Sequence, residues 1–208
     1  MLSDLMPSSL TVARGASEVV VGEWPRLFSW NIKQYYSLND LGFFFGKRVE
    51  LVRGQILEIE SLSPAAAVAI GLSEQQLRLV FGNGFLVFSR MPLRLGELNE
   101  PEPDVAVVEG AIRDFTHAHP TTAKLVVEVA ESSLRYDRKE KAELYAQNRI
   151  EEYWILNLKK RCLEVYRRPV KDKNLGFAYA EIFVVGETES VSPLTKPNSK
   201  IRVSDMLP

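Results

Sequence analysis

The fold is decided by two apolar runs, Pro103-Asp104-Val105-Ala106-Val107-Val108 and Leu125-Val126-Val127-Glu128-Val129-Ala130. Both are rich in β-branched residues, which predicts two strands. Each run carries a single carboxylate, Asp104 at the head of the first and Glu128 inside the second. A carboxylate in an apolar strand is costly to bury unless it is paired, lies near the sheet edge or binds a cation. The sequence therefore predicts a sheet that carries a polar site.

The two carboxylates are expected to lie on defined faces of their strands, because side chains alternate along an extended chain. Glu128 shares its face with Val126 and Ala130, and Asp104 shares its face with Ala106. If the two strands are neighbours, both carboxylates can converge on one hard cation. Ligation by oxygen atoms alone favours Mg²⁺ or Mn²⁺ over Zn²⁺.

A third charged group follows on the next element, a short helix predicted over residues 138–148. At about 100° per residue, Lys141 is the one charge centred on the apolar stripe of this helix, between Leu144 and Tyr145. An ammonium group directed inward near two carboxylates can position a water molecule or stabilise the charge of a pentavalent phosphate.

Each of these residues also has a simpler interpretation. Asp104 after Pro103 can be a turn residue, and Glu128 can be a charge on an edge strand. Lys141 can extend past its apolar neighbours into solvent or pair with Asp137 at a spacing of four residues. The residues alone leave these alternatives open, and only their order and spacing together favour a shared site.

The remaining pattern predicts an α/β fold in which helices flank a central mixed sheet. The N-terminal part is expected to begin with a helix over residues 30–41 with Ser29 as its N-cap. The further predicted elements are a hairpin over residues 49–60, a helix over 64–81, strands over 85–89 and 91–95, a second hairpin formed by 152–156 and 161–166, and a weakly alternating strand over 178–185.

Length and composition indicate one folded domain. The chain has 208 residues, of which 46% are apolar and 25% charged. We place the domain at residues 26–208, after a loosely held extension over residues 1–25. The net charge of -1 argues against a broadly basic nucleic-acid-binding surface, so any DNA contact must come from a local patch.

Cysteine content and hydropathy bear on the compartment. Cys162 is the only cysteine, so an intrachain disulfide is excluded and a reducing cytoplasm is expected. The strand pattern around it predicts a buried structural thiol. No apolar run approaches the roughly 20 residues that span a bilayer, so we expect no membrane partner. The N-terminus has an acidic residue, Asp4, and no basic segment, which argues against a secretory signal.

The ordered series of motifs resembles the Uma2 family of restriction-type endonucleases, which belongs to the PD-(D/E)XK nuclease superfamily. The resemblance covers roughly residues 26–207, and the series is far more specific than a lone Pro-Asp pair. Its motifs are Glu50-Leu51-Val52-Arg53-Gly54, Pro103 to Val108, Leu125 to Val129, then Asp137, Lys141 and Tyr145, and finally Glu152-Tyr153-Trp154-Ile155.

The resemblance implies a set of ligands. By similarity, Asp104 and Glu128 would bind the metal, with the main-chain carbonyl of Val129 as a third oxygen. Glu50 would be an additional acidic ligand or would orient a water molecule. The implied reaction is hydrolysis of a DNA phosphodiester by an activated water molecule, assisted by Mg²⁺ or Mn²⁺. Related restriction enzymes often act as dimers, which makes a homodimer the expected assembly.

The chain departs from the superfamily pattern at its lysine, in a way that the family pattern accommodates, and from the family pattern at a histidine. The superfamily lysine normally lies two residues after the glutamate, where this chain has Ala130, so Lys141 would replace it from the following helix. The family histidine that often follows a Ser-Pro segment is absent after Leu62-Ser63-Pro64. Two rivals therefore stay open: a non-catalytic module that binds nucleic acid or protein, and a metal-dependent phosphoesterase that acts on small phosphates.

Other polar and aromatic clusters carry weaker expectations. We expect a surface loop around His117 and His119 and a solvated acidic loop around Glu97, Glu100 and Glu102. The aromatic run over residues 43–45 is either a dimer surface or part of the core. Basic residues are either a rim that binds the DNA backbone or a solvated face; they are Arg135, Arg138, Lys139, residues 159–161, Arg167, Arg168, Lys171 and Lys173.

Overall fold

The N-terminal part of the fold is a helix, a hairpin and a second helix. A computed structural model describes residues 27–172 and 176–208. Helix α1 (Ile32–Asp40) is followed by the antiparallel hairpin of strands β1 (Val49–Val52) and β2 (Gln55–Glu58), and by helix α2 (Pro64–Phe81). The extension predicted over residues 1–25 and the predicted rim residue Lys173 lie outside the described ranges.

A six-stranded mixed sheet forms the centre of the molecule. Its strands are adjacent in chain order: β3 (Phe85–Ser89), β4 (Val105–Glu109), β5 (Leu125–Ala130), β6 (Glu152–Asn157), β7 (Cys162–Asp172) and β8 (Gly176–Gly186). Neighbouring strands are antiparallel except for β5 and β6, which are parallel. Two short strands, β9 (Ser190–Val191) and β10 (Ile201–Arg202), pair beside this sheet.

The parallel pair requires a crossover, because parallel strands cannot be joined by a tight turn. The crossover is helical from residue 134 to residue 147. It consists of α3 (Leu134–Tyr136), a π-helical turn (Asp137–Lys141) and α4 (Ala142–Gln147). Two 3₁₀ turns, Ile112–Phe115 and Val203–Met206, complete the described elements.

Apolar side chains fill both faces of the sheet, and strand β5 shows this alternation most clearly. Val127 faces α2 and the C-terminal segment, in a cluster with Leu77, Trp154 and Met206. Val126 faces the opposite way, in a cluster with α4 residues and the aromatic side chains of Tyr145, Tyr153, Tyr166 and Tyr179. All six residues of β5 are buried, as expected for a central strand that is covered on both faces.

The structure confirms the α/β class, both hairpins and helix α2 with the predicted bounds. Cys162 is a buried thiol, as predicted, and Trp154 and Tyr153 are fully buried in the core. None of the helices in the described ranges combines the length and apolar character needed to cross a membrane.

Two local predictions were wrong. The N-cap of α1 is Asn31 and not Ser29, because Asn31 and Gln34 each accept a hydrogen bond from the other's main-chain N–H at 3.0 Å. Residues 91–95 form no strand, since Pro92 has no N–H to donate to a ladder. This segment instead folds back on residues 99–101, where the N–H of Leu93 donates to the carbonyl of Pro101 at 2.9 Å.

A buried ion pair fixes the C-terminal segment to the sheet. Glu152 at the start of β6 is fully buried, and Arg167 of β7 donates to its Oε1 at 2.7 Å. The indole of Trp154 and the main-chain N–H of Leu194 also donate to this carboxylate. Arg167 donates in addition to the carbonyl of Ser192 at 2.6 Å, so one arginine joins two strands and the tail.

We expect Arg167→Ala to lower the free energy of unfolding by about 3–5 kcal/mol, because it leaves the charge of Glu152 buried and uncompensated. Arg168→Ala, which removes the exposed arginine next to it, should change stability by less than about 0.5 kcal/mol. Urea denaturation of both variants measures the difference, and equal midpoints would contradict the structural role of the pair.

Candidate active site

Strand register brings Asp104 and Glu128 together. Strands β4 and β5 are antiparallel, with Val105 opposite Val127 and Ala106 opposite Val126. Continued by one residue, this register places Asp104 opposite Glu128 on the same face of the sheet. Because β5 is a central strand, the interpretation of Glu128 as an edge charge was wrong.

Main-chain hydrogen bonds hold the two carboxylates in this position. The N–H of Val129 donates to Oδ2 of Asp104 at 2.8 Å, and the N–H of Asp104 donates to Oε2 of Glu128 at 3.3 Å. Asp104 is therefore more than a turn residue. No described residue donates a hydrogen bond to its other oxygen, Oδ1, which leaves that oxygen available for a ligand.

Lys141 lies between two of the carboxylates. Its Nζ is 2.7 Å from Oε2 of Glu50 and 3.3 Å from Oε1 of Glu128, and the residue is 4% exposed. The alternatives in which Lys141 reaches solvent or pairs with Asp137 were wrong. Lys141 ends the π-helical turn, and such turns within α-helices occur frequently at functional sites.

Glu50 reaches the site from the hairpin. Leu51, the next residue in β1, exchanges main-chain hydrogen bonds with Glu100, which anchors the hairpin beside the segment that leads into Asp104. The N–H of Glu102 and the hydroxyl of Tyr136 donate to the Glu50 carboxylate at 3.2 and 3.4 Å. The structure thus brings Glu50, Asp104, Glu128 and Lys141 to one place, with Val129 beside them.

Tyr145 supports the site by a direct contact with a carboxylate. Its hydroxyl donates to Oε1 of Glu128 at 2.6 Å. In the sequence, Tyr145 belongs to the apolar stripe of the helix and to the series of family motifs. Only the family spacing indicates that it belongs to the site.

Asp137 is a fourth buried carboxylate, at the start of the π-helical turn. It is 3% exposed, accepts a hydrogen bond from the hydroxyl of Ser133 at 2.5 Å and offers its carbonyl to Tyr153. The sequence had pointed to it through family spacing and as an alternative partner of Lys141. Nothing in its local sequence indicates that it would be buried.

Four carboxylates lie near one ammonium group, and burial raises the pKa of three of them. Burial raises the pKa of Glu128 to about 8 and that of Asp137 to about 6, although Lys141 lowers both. Burial also raises the pKa of Asp104. Burial alone would lower the pKa of Lys141, but the charges of Glu128 and Glu50 outweigh it and raise the pKa above its ordinary value.

The carboxylates form one wall of a cavity of about 530 Å³. A water molecule occupies about 30 Å³ in the liquid, so a cation with its hydration shell fits. The charged residues that line the cavity include Arg48, Glu50, Arg90, Asp104, Glu128 and Lys141.

The donor set suits Mg²⁺ or Mn²⁺ better than metals that require a closed cage. Within residues 27–172 and 176–208, no three Asp, Glu, His or Cys side chains form a ready-made metal cluster. Mg²⁺ commonly binds through one or two carboxylates and keeps several water molecules. Asp104 and Glu128 meet that requirement, and a divalent cation would offset the excess negative charge around them.

Two weaker predictions about charged groups need revision. Glu100 is not solvated, because it is 2% exposed and its carboxylate accepts a hydrogen bond from the hydroxyl of Tyr36. The predicted basic rim is partly neutralised, since Arg138, Arg161 and Arg167 form ion pairs with glutamates.

The aromatic run over residues 43–45 and the two histidines do not line the cavity. Phe43 and Phe45 are 67% and 95% exposed, whereas Phe44 contacts the ring of Tyr35. His117 is exposed on a loop, as predicted, whereas His119 is half-buried, with its Nε2 atom 3.8 Å from Oε1 of Glu100.

Comparison with known proteins identifies the family of the chain and its fold. The family model Uma2, described as "Putative restriction endonuclease", matches residues 32–204. A similar solved structure is described as "a putative nuclease belonging to DUF820" from Anabaena variabilis ATCC 29413. It aligns with a TM-score of 0.67 over 85% of this chain and 96% of that chain. At 11% identity this likeness shows the fold alone. The search among curated proteins found no match.

We expect Glu128→Gln to gain stability relative to the native protein as the pH rises from 4.5 to about 8 in a chelator. The unfolded carboxyl group releases its proton near the lower pH and the folded one near the higher. Within this window the folded native protein binds more protons, so its free energy of unfolding falls as the pH rises. Glutamine has no such proton.

Thermal unfolding at about pH 5 and about pH 8.5 measures this effect. The melting temperature of Glu128→Gln relative to the native protein should be higher at the upper pH by at least about 2–4 °C, the change that about 1 kcal/mol produces in a chain of this length. Glu181→Gln, at an exposed position on β8, should show no such trend. A constant offset for Glu128→Gln at both pH values would contradict a raised pKa.

Proposed function

We propose that this chain, which belongs to the Uma2 family, is a metal-dependent endonuclease that hydrolyses DNA phosphodiester bonds. One observation carries the proposal: an ammonium group is buried within 3.3 Å of Glu128 and 2.7 Å of Glu50, and Asp104 lies opposite Glu128. Buried carboxylates with raised pKa values, beside a cavity and a buried ammonium group, are typical of catalytic sites.

The carboxylates would hold Mg²⁺ or Mn²⁺ on the cavity wall. Asp104 and Glu128 are the expected ligands, with the carbonyl of Val129 as a further oxygen and Glu50 as an additional ligand or an acceptor that orients water. When bound, the cation would polarise the phosphoryl oxygen and lower the pKa of a coordinated water molecule.

Lys141 acts in this proposal as a fixed positive charge. Because Glu128 and Glu50 raise its pKa, the amine keeps its proton at neutral pH and cannot serve as a general base. Its ammonium group can instead stabilise the negative charge that develops on the phosphate oxygens as water attacks phosphorus. Its buried position between two carboxylates means that little reorganisation is needed during the reaction.

Glu50 positions Lys141 and extends the polar wall of the cavity. Its Oε2 accepts hydrogen bonds from Lys141 and from the N–H of Glu102, and its Oε1 accepts a longer one from Tyr136. A water molecule beside this carboxylate can donate a hydrogen bond to it, which would turn a lone pair of the water oxygen toward the phosphate.

The proposed partner is DNA, and a homodimer is the proposed assembly because two sites are needed to cut two strands. The exposed side chains of Phe43 and Phe45 are the surface that we assign to the second copy. The single buried cysteine supports a reducing compartment such as the cytoplasm.

The rival with specific support is a non-catalytic binding module on the same scaffold. It is favoured by the missing family histidine and by the pairing of Lys141 with two of the proposed acidic residues. Such a module would keep the buried polar cluster for its fold and would have no need of a divalent cation.

We expect Asp104→Ala, Glu128→Ala and Lys141→Ala each to reduce the nicking of supercoiled plasmid by at least about a hundredfold in Mg²⁺ or Mn²⁺. Each change removes a metal ligand or the fixed positive charge. Glu181→Gln is the matched control, and circular dichroism should show that the variants remain folded. Cleavage at the native rate by all three variants would exclude this mechanism.

Isothermal titration with Mg²⁺ and with Mn²⁺ separates the enzyme from the rival. We expect the native protein to bind either cation, and Asp104→Ala and Glu128→Ala to bind neither, because they lose carboxylate ligands. Glu181→Gln should bind as the native protein does. The absence of any cation binding that depends on Asp104 and Glu128 would favour the non-catalytic module.

A further inference from the structure

Two arginines lie on the cavity wall together with the carboxylates and have no place in the metal site. Arg48 precedes strand β1, and Arg90 follows strand β3. Both contact the segment that leads into Asp104. The guanidinium group of Arg48 donates to the carboxylate of Glu102 at 2.6 Å, and the main-chain N–H of Arg90 donates to the carbonyl of Pro103 at 3.1 Å. The same short segment therefore positions both arginines and one carboxylate.

Both guanidinium groups have donors to spare. The Nη1 atom of Arg48 is buried and has no hydrogen-bond partner among the described residues. An unpaired buried donor costs free energy, so such a group calls for a specific explanation. The side chain of Arg90 makes no hydrogen bond or ion pair with any residue in the described ranges. In contrast, Arg138, Arg161 and Arg167 are each paired with a glutamate.

The backbone of Arg90 strengthens this argument. Its φ of +54° lies in the left-handed region, where residues other than glycine are uncommon. Four other arginines share this conformation: Arg53 and Arg161 form ion pairs, and Arg149 and Arg168 do not line the cavity. Of the five arginines with this backbone among the described residues, only Arg90 lines the cavity that holds the carboxylates. Strain of this kind is concentrated at ligand-binding sites.

We infer that Arg48 and Arg90 form a clamp for a backbone phosphate of the substrate strand, beside the carboxylates. This role rests on the proposed function and deepens it by assigning the contacts that hold the polyanion. Guanidinium groups present several N–H donors in a plane and bind phosphate oxygens in pairs. The two positive charges of the clamp would also offset the repulsion between the acidic wall and the phosphates of DNA. Both arginines are positioning residues, since they hold the strand without contacting the reacting atoms.

The decisive variant is Arg90→Gly. Glycine adopts a positive φ without strain, so this variant should be as stable as the native protein or more stable. A loss of DNA binding can then be assigned to the missing guanidinium group. Arg48→Gln keeps one donor for Glu102 while it removes the charge. Arg113→Ala is the matched control, because Arg113 is an exposed arginine at the opposite end of strand β4 from Asp104.

Binding is measured by the fluorescence anisotropy of a short labelled DNA duplex in EDTA, at several salt concentrations. We expect Arg90→Gly and Arg48→Gln each to weaken binding about tenfold at low salt. Each should also make the slope of log K against log salt shallower by about 0.9, the value for one lost phosphate contact. Arg90→Lys should restore the slope, because it keeps the charge. An Arg90→Gly variant that behaves like Arg113→Ala would overturn the clamp.

Kinetics in Mg²⁺ distinguish the clamp from the proposed function. If the clamp and the nuclease activity are both real, Arg90→Gly raises KM for DNA cleavage with little change in kcat, whereas Lys141→Ala lowers kcat. If the native protein binds DNA through the two arginines but never cleaves it, the clamp stands and the nuclease fails. If the native protein cleaves DNA and Arg90→Gly has the native KM, the clamp fails and the nuclease stands.

Discussion

The burial of one ammonium group among four carboxylates is the interaction on which the site depends. Lys141 contacts Glu50 from the hairpin and Glu128 from the central strand, so a single charge joins elements that are distant in sequence. Removing any one of them from water is costly, and only their mutual contacts and hydrogen bonds make the arrangement tolerable. Because four carboxylates share one ammonium group, the metal-free site has an unfavourable electrostatic energy once Glu128 ionises above its pKa of about 8. The apolar layers on both faces of the sheet must supply the stability that offsets it.

Much of this arrangement could be predicted from the sequence, because its determinants are local. Alternation along β5 assigns Glu128 to the face opposite Val127, and helical periodicity directs Lys141 inward; the structure shows both. The pairing of β4 with β5 did not follow from the sequence. Once the pairing is known, the register alone places Asp104 opposite Glu128. It thereby rules out a mere turn residue for Asp104 and an edge-strand charge for Glu128.

The features that were missed depend on tertiary context. The π-helical turn over Asp137–Lys141 has no propensity signal in its sequence, and both of its terminal residues are buried in the site. Glu100 belongs to an acidic run that looks solvated, yet its backbone pairs with Leu51 and carries its side chain under helix α1. The left-handed backbone of Arg90 is equally invisible in the sequence, where an arginine after a strand indicates only a charged loop.

The charges on the cavity wall also constrain how a polyanion can approach. With a net charge of -1, the chain has no general attraction for DNA, and several of its arginines are already paired. A DNA strand that enters the cavity must therefore contact positive charge locally. On this wall, Lys141 is paired with carboxylates, whereas Arg48 and Arg90 have unpaired N–H donors. The excess negative charge that a divalent cation would neutralise is the same charge that repels the phosphate backbone. Cation binding and strand binding at this site are thus expected to favour each other, because each reduces the electrostatic cost of the other.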